Sequence, residues 1–404
     1  MHLSIAKREN LGRGGVAAPR GVKIRAMSTV RWSFPTTIVF GSGALASLPD
    51  HVRKNGGTRV LVVTDPGVVK AGIVGRVTAT LEAAKIPYGV FDAVDPNPVE
   101  PNIDAGVRAY HDAKADLIVN VGGGAPLDAG KLIALRIHHH RPMVDYDDAT
   151  GGDEHVTSNV PPMIAIPTTA GTGSEVGRSG VITLAATGRK TVIFSPYFLA
   201  KVALLDPDLT VGLPPVVTAA TGFDALTHCL EAYVSLGDHP MADAIALGGL
   251  ELCTKYLERA VKTGQDLEAR GGMMKAASMG AVAFQKGLGA CHSLAHPLSS
   301  EKGVHHGLAN ALCLPAVMKW NSDVIGSERR SALERVLAAN GKSLPDALID
   351  LRARLGLPSG LRSQGVTEAD IPKLAAKAFE DACHRSNPRP ATQDDLAALY
   401  RASL

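Results

Sequence analysis

The sequence predicts an α/β N-terminal half built on a doubly wound parallel sheet, followed by an all-α C-terminal half. Three observations carry that prediction. Between Phe34 and Asp206, short β-branched apolar runs alternate with helix-length segments, the pattern of strands buried on both faces by crossover helices. Glycine- and hydroxyl-rich turns follow those runs, where a parallel sheet has its C-terminal strand ends and places its ligands. Beyond Asp206–Thr210 the periodicity is helical almost without interruption.

At 404 residues, 45% hydrophobic and 20% charged, the chain is an ordinary globular protein too long for a single core. A net charge of +3 gives no case for nucleic-acid binding, and no apolar run is long enough to span a membrane. Most of the positive charge is local. Residues 1–28 hold Lys7, Arg8, Arg13, Arg20, Lys23 and Arg25 against Glu9 alone, so the remainder is close to neutral. This basic, glycine-rich opening reads as a disordered extension upstream of a natural start at Met27. The alternative is an arginine-rich, acid-poor targeting segment. The expected division is therefore 1–28 extension, 29–208 α/β domain and 209–404 helical domain. Five scattered cysteines without a CxxC pair argue for a reducing compartment, and the expected location is cytoplasmic.

In order, RVLVVTD (Arg59–Asp65) is a first buried strand, AGIVGRVTATLEAAKI a helix, YGVFD a strand, and GVRAYHDAKA a helix after the loop AVDPNPVEPN. DLIVNV (Asp116–Val121) is a strand that runs directly into GGGAPLDAGKLIAL. Glycines there let a backbone approach a ligand, and the helix start offers free N–H groups to a phosphate. The competing reading is a tight strand-to-helix turn with no ligand. PTTAGTGSEVGRSG (Pro167–Gly180) follows the strand MIAI as a second such loop, and KTVIFSPYFLAKVALLD reads as further β structure. Asp65 ends its strand either as an acceptor for a ribose diol, favouring NAD over NADP, or as a helix N-cap before Pro66. The His138–His140 run reads as a solvated helix end.

Candidate metal ligands lie in the helical half. Asp224 and His228 in GFDALTHCLEAY are four residues apart, as are His292 and His296 in CHSLAHPLSSEKGVHHGLAN, and residues so spaced share a helix face. Any one of these histidines alone would read as a satisfied core residue. Two such pairs and a downstream His306 form a coherent divalent-metal set. The candidates Asp224, His228, His292 and His306 offer imidazole and carboxylate donors suited to Fe(II), Zn, Ni or Mn, with room left for water or substrate.

With these motifs in view, the chain resembles the iron-containing (group III) alcohol dehydrogenases, within the superfamily that includes glycerol dehydrogenase and dehydroquinate synthase. The resemblance runs from Phe34 to Leu404 through PTTIVFGSGALASLP, GGG..LDAGK, PTTAGTGSEV, ALLDPDLT, GFDALTHCLEAYVS, the histidine cluster and NPRPATQDDL. It implies a dehydroquinate synthase-like fold with an NAD-binding first domain, and metal ligation by Asp224, His228, His292 and His306. His296 is then not a ligand but the candidate catalytic residue beside the nicotinamide, helping to move a proton. The implied NAD contacts are Asp65, Asn97, Gly123, Gly124, Ala125, Thr168, Thr169, Gly177, Lys190 and Leu209. Three positions depart from the family pattern: Ala125 replaces a serine, Gly177 precedes Arg178 after SEV, and Lys201 replaces a proline.

The implied activity is hydride transfer between NAD(H) and a primary alcohol or aldehyde activated by Fe(II), or by Zn, Ni or Mn. The implied assembly is a homodimer or larger homo-oligomer. Other readings are a hydroxy-acid dehydrogenase, a metal-free maleylacetate reductase-like enzyme, or a dehydroquinate synthase-like lyase. The last would call for Lys and Arg around the metal, and the segments near Asp224 and His292 are instead apolar and small. Arg178 is either a surface arginine or a guanidinium that steers a carboxylated substrate.

Overall fold

In the computed structural model, residues 33–34, 36–186, 188–337 and 341–404 are described, so the basic opening segment lies outside the described residues. Six strands, β1 (Thr37–Phe40), β2 (Val60–Val63), β3 (Tyr88–Phe91), β4 (Leu117–Gly122), β5 (Met163–Pro167) and β8 (Val202–Leu205), form one sheet in the order β1-β8-β5-β4-β2-β3. Every pairing in it is parallel. The strands β2, β4, β5 and β8 are buried along their whole length, which explains their unbroken apolar runs.

Helices α1 (Leu48–Lys54), α2 (Pro66–Lys70), α3 (Ile73–Ala83), α4 (Glu100–Asp112) and α5 (Gly124–His138) connect these strands. One core packs Leu132, Ile133 and Ile103 against one face of the sheet, and another packs Val52, Val77 and Leu81 against the other. The strand order reverses between β2 and β4, so the loops after these two strands flank the crevice where doubly wound sheets bind ligands.

An antiparallel hairpin, β6 (Ser179–Thr183) and β7 (Lys190–Phe194), stands apart from this sheet. The sequence reading takes residues 179–180 as the end of a loop and misses β6. Its alternating half-buried and buried residues, interrupted by a buried Gly180 packed on Leu132, give no continuous apolar run.

The remainder is helical: α6 (Pro215–Val234), α7 (Pro240–Lys262), α8 (Leu267–Ala283), α9 (Ala290–Lys302), α10 (His306–Trp320), α11 (Ser327–Val336), α12 (Leu344–Arg354), α13 (Ile371–Glu380) and α14 (Gln393–Ala402). Buried almost all round, α6 is the central post, with α7, α8 and α10 packed against it. Small residues set the spacing. An added Cβ at Gly307 would lie 2.1 Å from the Ala220 carbonyl oxygen, so α10 sits directly on the α6 backbone. Helix α9 ends at Gly303, whose φ of 67° is the left-handed conformation that closes helices, and α10 starts only three residues later at His306. No helix among the described residues is long and apolar enough to cross a membrane.

Candidate metal and nucleotide site

Helix α6 presents Asp224, His228 and Glu231 on one face, at intervals of four and three residues. Opposite stands the start of α9, bearing His292 and His296, and the first residue of α10 is His306. The Nε2 atoms of His228, His292 and His306 lie 4.0, 3.9 and 3.5 Å from Asp224 Oδ1. The ligand atoms of Asp224, His292 and His306 are all within 4.8 Å of one another. These separations are too long for hydrogen bonds. A divalent ion bonded at about 2.1 Å holds tetrahedral ligand atoms about 3.4 Å apart, close to the observed spacing.

The protonation states fit a cation as well. Burial pushes the His228 imidazole down to about 4 despite the charge of Asp224. Burial and the neighbouring histidines push His306 well below its usual value. Both rings are therefore neutral at pH 7, the form in which an imidazole can ligate a cation, and their Nε2 atoms face a carboxylate whose charge a cation would offset. For His292, burial acts in the opposite sense to Glu231, and the hydrogen bond and charge of Glu231 prevail to raise its pKa.

Sequence reasoning missed three of the supporting side chains. Glu231, almost wholly buried, accepts from His292 Nδ1 at 2.6 Å and from the backbone N–H groups of Gly289 and Cys291 at 3.1 and 2.7 Å. It thus caps α9, whose own N-cap Gly289 has no side chain to do so, and fixes the ring of His292. Asn310 donates to Asp224 Oδ1 at 2.7 Å. Asp381, directly after α13, accepts from His296 Nδ1 at 2.7 Å. The helical interval of Glu231 from Asp224 and His228, and of Asn310 from His306, is legible in the sequence. Nothing local marks Asp381.

Most of the nucleotide candidates line the C-terminal edge of the parallel sheet. Asp65 follows β2, Asn97 lies beyond β3, Gly123, Gly124 and Ala125 follow β4, Thr168 and Thr169 follow β5, and Leu209 follows β8. Gly124 is required there because a Cβ would meet Thr172 Cγ2 at 2.7 Å. The N-cap of α5, Gly123, makes no side-chain cap bond, so the first N–H groups of that helix remain available. Asp65 does cap α2, through Oδ1 accepting from Val68 N at 2.9 Å, and its second oxygen is not used in that bond. Leu209 is buried in the sheet core and Asn97 is exposed.

Gly177 and Lys190 stand off this edge. Gly177 follows a 3-10 turn and is buried beside Lys131. Lys190 opens β7, which packs against α9, and burial lowers its pKa although Asp128 and Asp224 act to raise it. Arg178 lies at the opposite end of the hairpin from Lys190, its guanidinium 5.1 Å above the Phe194 ring on the wall of a cavity of about 360 Å³. It is therefore neither a plain surface arginine nor part of the histidine cluster. His139 is also not solvated: it is buried and holds Leu135 O and Thr157. Lys201 donates its N–H to Met163 O at 2.7 Å, a bond that a proline would lack.

A parallel α/β sheet with a glycine turn at its switch point, beside a helical cluster of three imidazoles and a carboxylate, defines a metal-dependent oxidoreductase of the nucleotide-binding class. Residues 35–207 match the family described as "Iron-containing alcohol dehydrogenase", and residues 218–404 match "Fe-containing alcohol dehydrogenase family, C-terminal". The chain belongs to the iron-containing alcohol dehydrogenase family, and is an oxidoreductase acting on CH–OH groups. It is 41% identical to the 4-hydroxybutyrate dehydrogenase of Cupriavidus necator, over 91% of this chain and 98% of that one. Among solved structures, 1,3-propanediol oxidoreductase superposes with a TM-score of 0.87 at 35% identity, covering 93% of this chain and all of the other. The sulfoacetaldehyde reductase from Bifidobacterium kashiwanohense, solved in complex with NAD+, superposes with a TM-score of 0.83 at 30% identity, covering 93% and 99%.

Proposed function

We propose that this enzyme interconverts a primary alcohol and its aldehyde with NAD(H), using a divalent metal held by Asp224, His228, His292 and His306. The observation that carries this reading is the convergence of three imidazole Nε2 atoms on one oxygen of Asp224. Fe(II) is the metal expected from the family, and the donor set also suits Zn, Ni or Mn. When bound, the metal supplies Lewis-acid stabilisation of charge developing on the alcohol oxygen, and the nicotinamide supplies the hydride acceptor.

The chain's own groups do the rest. Gly123, Gly124 and Ala125 let the start of α5 approach the pyrophosphate, with Thr168 and Thr169 alongside, and Gly177, set off this edge, is the outlying member of the set. Asn97 and Leu209 border the nucleotide, and the Lys190 ammonium faces the site from β7. Asp65 has one oxygen left over from its cap to take a ribose hydroxyl. His296 receives the substrate's hydroxyl proton and passes it toward solvent. The proposed setting is a cytoplasmic homodimer or larger homo-oligomer.

Exhaustive chelation is expected to lower turnover of short primary alcohols at least about 100-fold, with recovery on anaerobic refilling with Fe(II). Turnover that persists with the metal demonstrably gone would remove the site. Asp65→Asn keeps an oxygen for the α2 cap but loses the charge. It is expected to shift the ratio of kcat/KM with NAD to that with NADP about tenfold toward NADP, with an unchanged melting temperature. An unmoved ratio would leave Asp65 as a helix cap and nothing more.

A second reading narrows the substrate to a short ω-hydroxy acid, and the 41% identity to a 4-hydroxybutyrate dehydrogenase supports it. It predicts a higher kcat/KM for 4-hydroxybutyrate than for 1,3-propanediol or 1-butanol. Equal values would return the substrate to a plain alcohol.

A further inference from the structure

Next to the proposed metal ligands lies a second, separately built polar cluster. Ser293 and His296 lie three apart on α9, with their side chains turned to Asp381, which follows α13 some 85 residues later in the chain. Asp381 Oδ1 accepts from Ser293 Oγ at 2.7 Å and from the Cys383 N–H at 2.8 Å. Ser293 Oγ in turn accepts from the His384 N–H at 2.8 Å. Oδ2 meets the Nδ1 of His296 at 2.7 Å, and the Cys383 thiol also lies against this carboxylate. The His296 ring stacks on His306, with centroids 5.3 Å apart and planes 13° from parallel.

We infer that Asp381 is the positioning residue for His296, holding it as the Nδ1–H tautomer so that Nε2 is free to take the proton when the O–H bond of the alcohol breaks. The inference rests on the proton-transfer role given to His296 above. Its physical basis is the donor and acceptor count. An ionised carboxylate only accepts, so the nitrogen facing it must carry a hydrogen, and a neutral imidazole then has its lone pair on the other nitrogen. Burial acts to raise the Asp381 carboxyl, but the His296 charge whenever that ring is protonated, and the hydrogen bonds from His296, Ser293 and the Cys383 N–H in either state, hold it well below the usual carboxylate range. It therefore stays an acceptor at every working pH. The same arrangement orients the general base of hydrolytic triads, and isosteric loss of the acid there reverses the tautomer.

Asp381→Asn tests this directly. The amide oxygen can retain Ser293 and the Cys383 N–H, which turns the NH2 group toward His296 Nδ1 and reverses the tautomer. Long-range 1H–15N spectra of the full chain labelled with 15N-histidine, in the metal-free and the zinc-filled protein, read that tautomer without turnover. The His296 signal is identified by its loss in His296→Ala. We expect Nδ1–H in the wild type and Nε2–H in Asp381→Asn. With it, kcat should fall about 100-fold or more, while KM for NAD and for the alcohol changes less than about threefold. Asp381→Asn should cost nothing further in a His296→Ala background.

A wild-type tautomer in Asp381→Asn, or a further loss of turnover in the double variant, overturns the positioning role. Undiminished turnover in Asp381→Asn beside a collapse in His296→Ala also overturns it, and leaves the proton role of His296 standing. Undiminished turnover in His296→Ala defeats both. Should Asp381→Asn fail to fold, Ser293→Ala removes one bond that orients the carboxylate. It is expected to mix the two tautomers and lower kcat about threefold, and an unmixed wild-type tautomer in it overturns the proposal.

Discussion

Glu231→Ala is expected to lower stability by roughly 3–5 kcal/mol and metal affinity by more than about 100-fold. Two independent losses combine. The backbone N–H groups of Gly289, Cys291 and His292, 3.1, 2.7 and 3.4 Å from the carboxylate, lose their buried acceptor at the start of α9. His292 loses the 2.6 Å partner that fixes its ring and makes Nε2 the stronger donor to a cation. Glu231→Gln separates the two. Its amide oxygen still serves one or two of the N–H groups, so most stability survives, whereas its NH2 group opposes the His292 Nδ1–H and affinity still falls about tenfold or more. Chemical denaturation of the metal-free chain measures the first loss, and competition with a chromophoric chelator measures the second. A Glu231→Ala protein with both quantities intact would reduce Glu231 to a bystander.

Gly307→Ala is the second large effect. A methyl group there would lie 2.1 Å from Ala220 O, 2.7 Å from its carbonyl carbon and 3.1 Å from Asp224 Cβ. Two of those three atoms are backbone, so no rotamer change relieves the overlap and α10 must move away from α6. Because His306 precedes Gly307 and Asp224 lies on α6, that movement pulls two of the proposed ligands apart. We expect a stability loss of about 3 kcal/mol, at the upper end for overpacking, together with the loss of tight metal binding. Gly303→Ala is the control. No atom lies within 4 Å of its added methyl, so only the left-handed φ of 67° is penalised, by about 1 kcal/mol. Similar metal affinity in the two variants would show that helix spacing at Gly307 does not set the site.

How much of this was legible depends on the distance over which each feature acts. The strands β2, β4 and β5 are continuous apolar runs because both faces are buried, and the sequence reading finds them within two residues. The hairpin β6–β7 is half exposed, and its Ser179 and Gly180 carry loop signals, so β6 passes unread. Helical intervals expose Asp224 with His228 and His292 with His296, since partners four apart must share a face. The same intervals do not tell which histidine ligates. In the structure His296 turns to Asp381, a partner supplied by the fold alone. His139 reads as solvated for the same reason: its partner Thr157 is brought in by a long loop.

The assembly of the histidine cluster from α6, α9 and α10 has a kinetic corollary. Its defining contacts join residues 61 apart in the chain, as between Glu231 and His292, or 86 apart, as between Asp224 and Asn310. Pairings that distant form late, after the loop-closure entropy between them has been overcome. A cation thus has nothing to nucleate on in the unfolded chain beyond single i, i+4 pairs. Loading at the proposed site would follow folding, and the metal would act as a latch on a finished structure, adding stability by mass action that grows with the logarithm of its concentration above the dissociation constant.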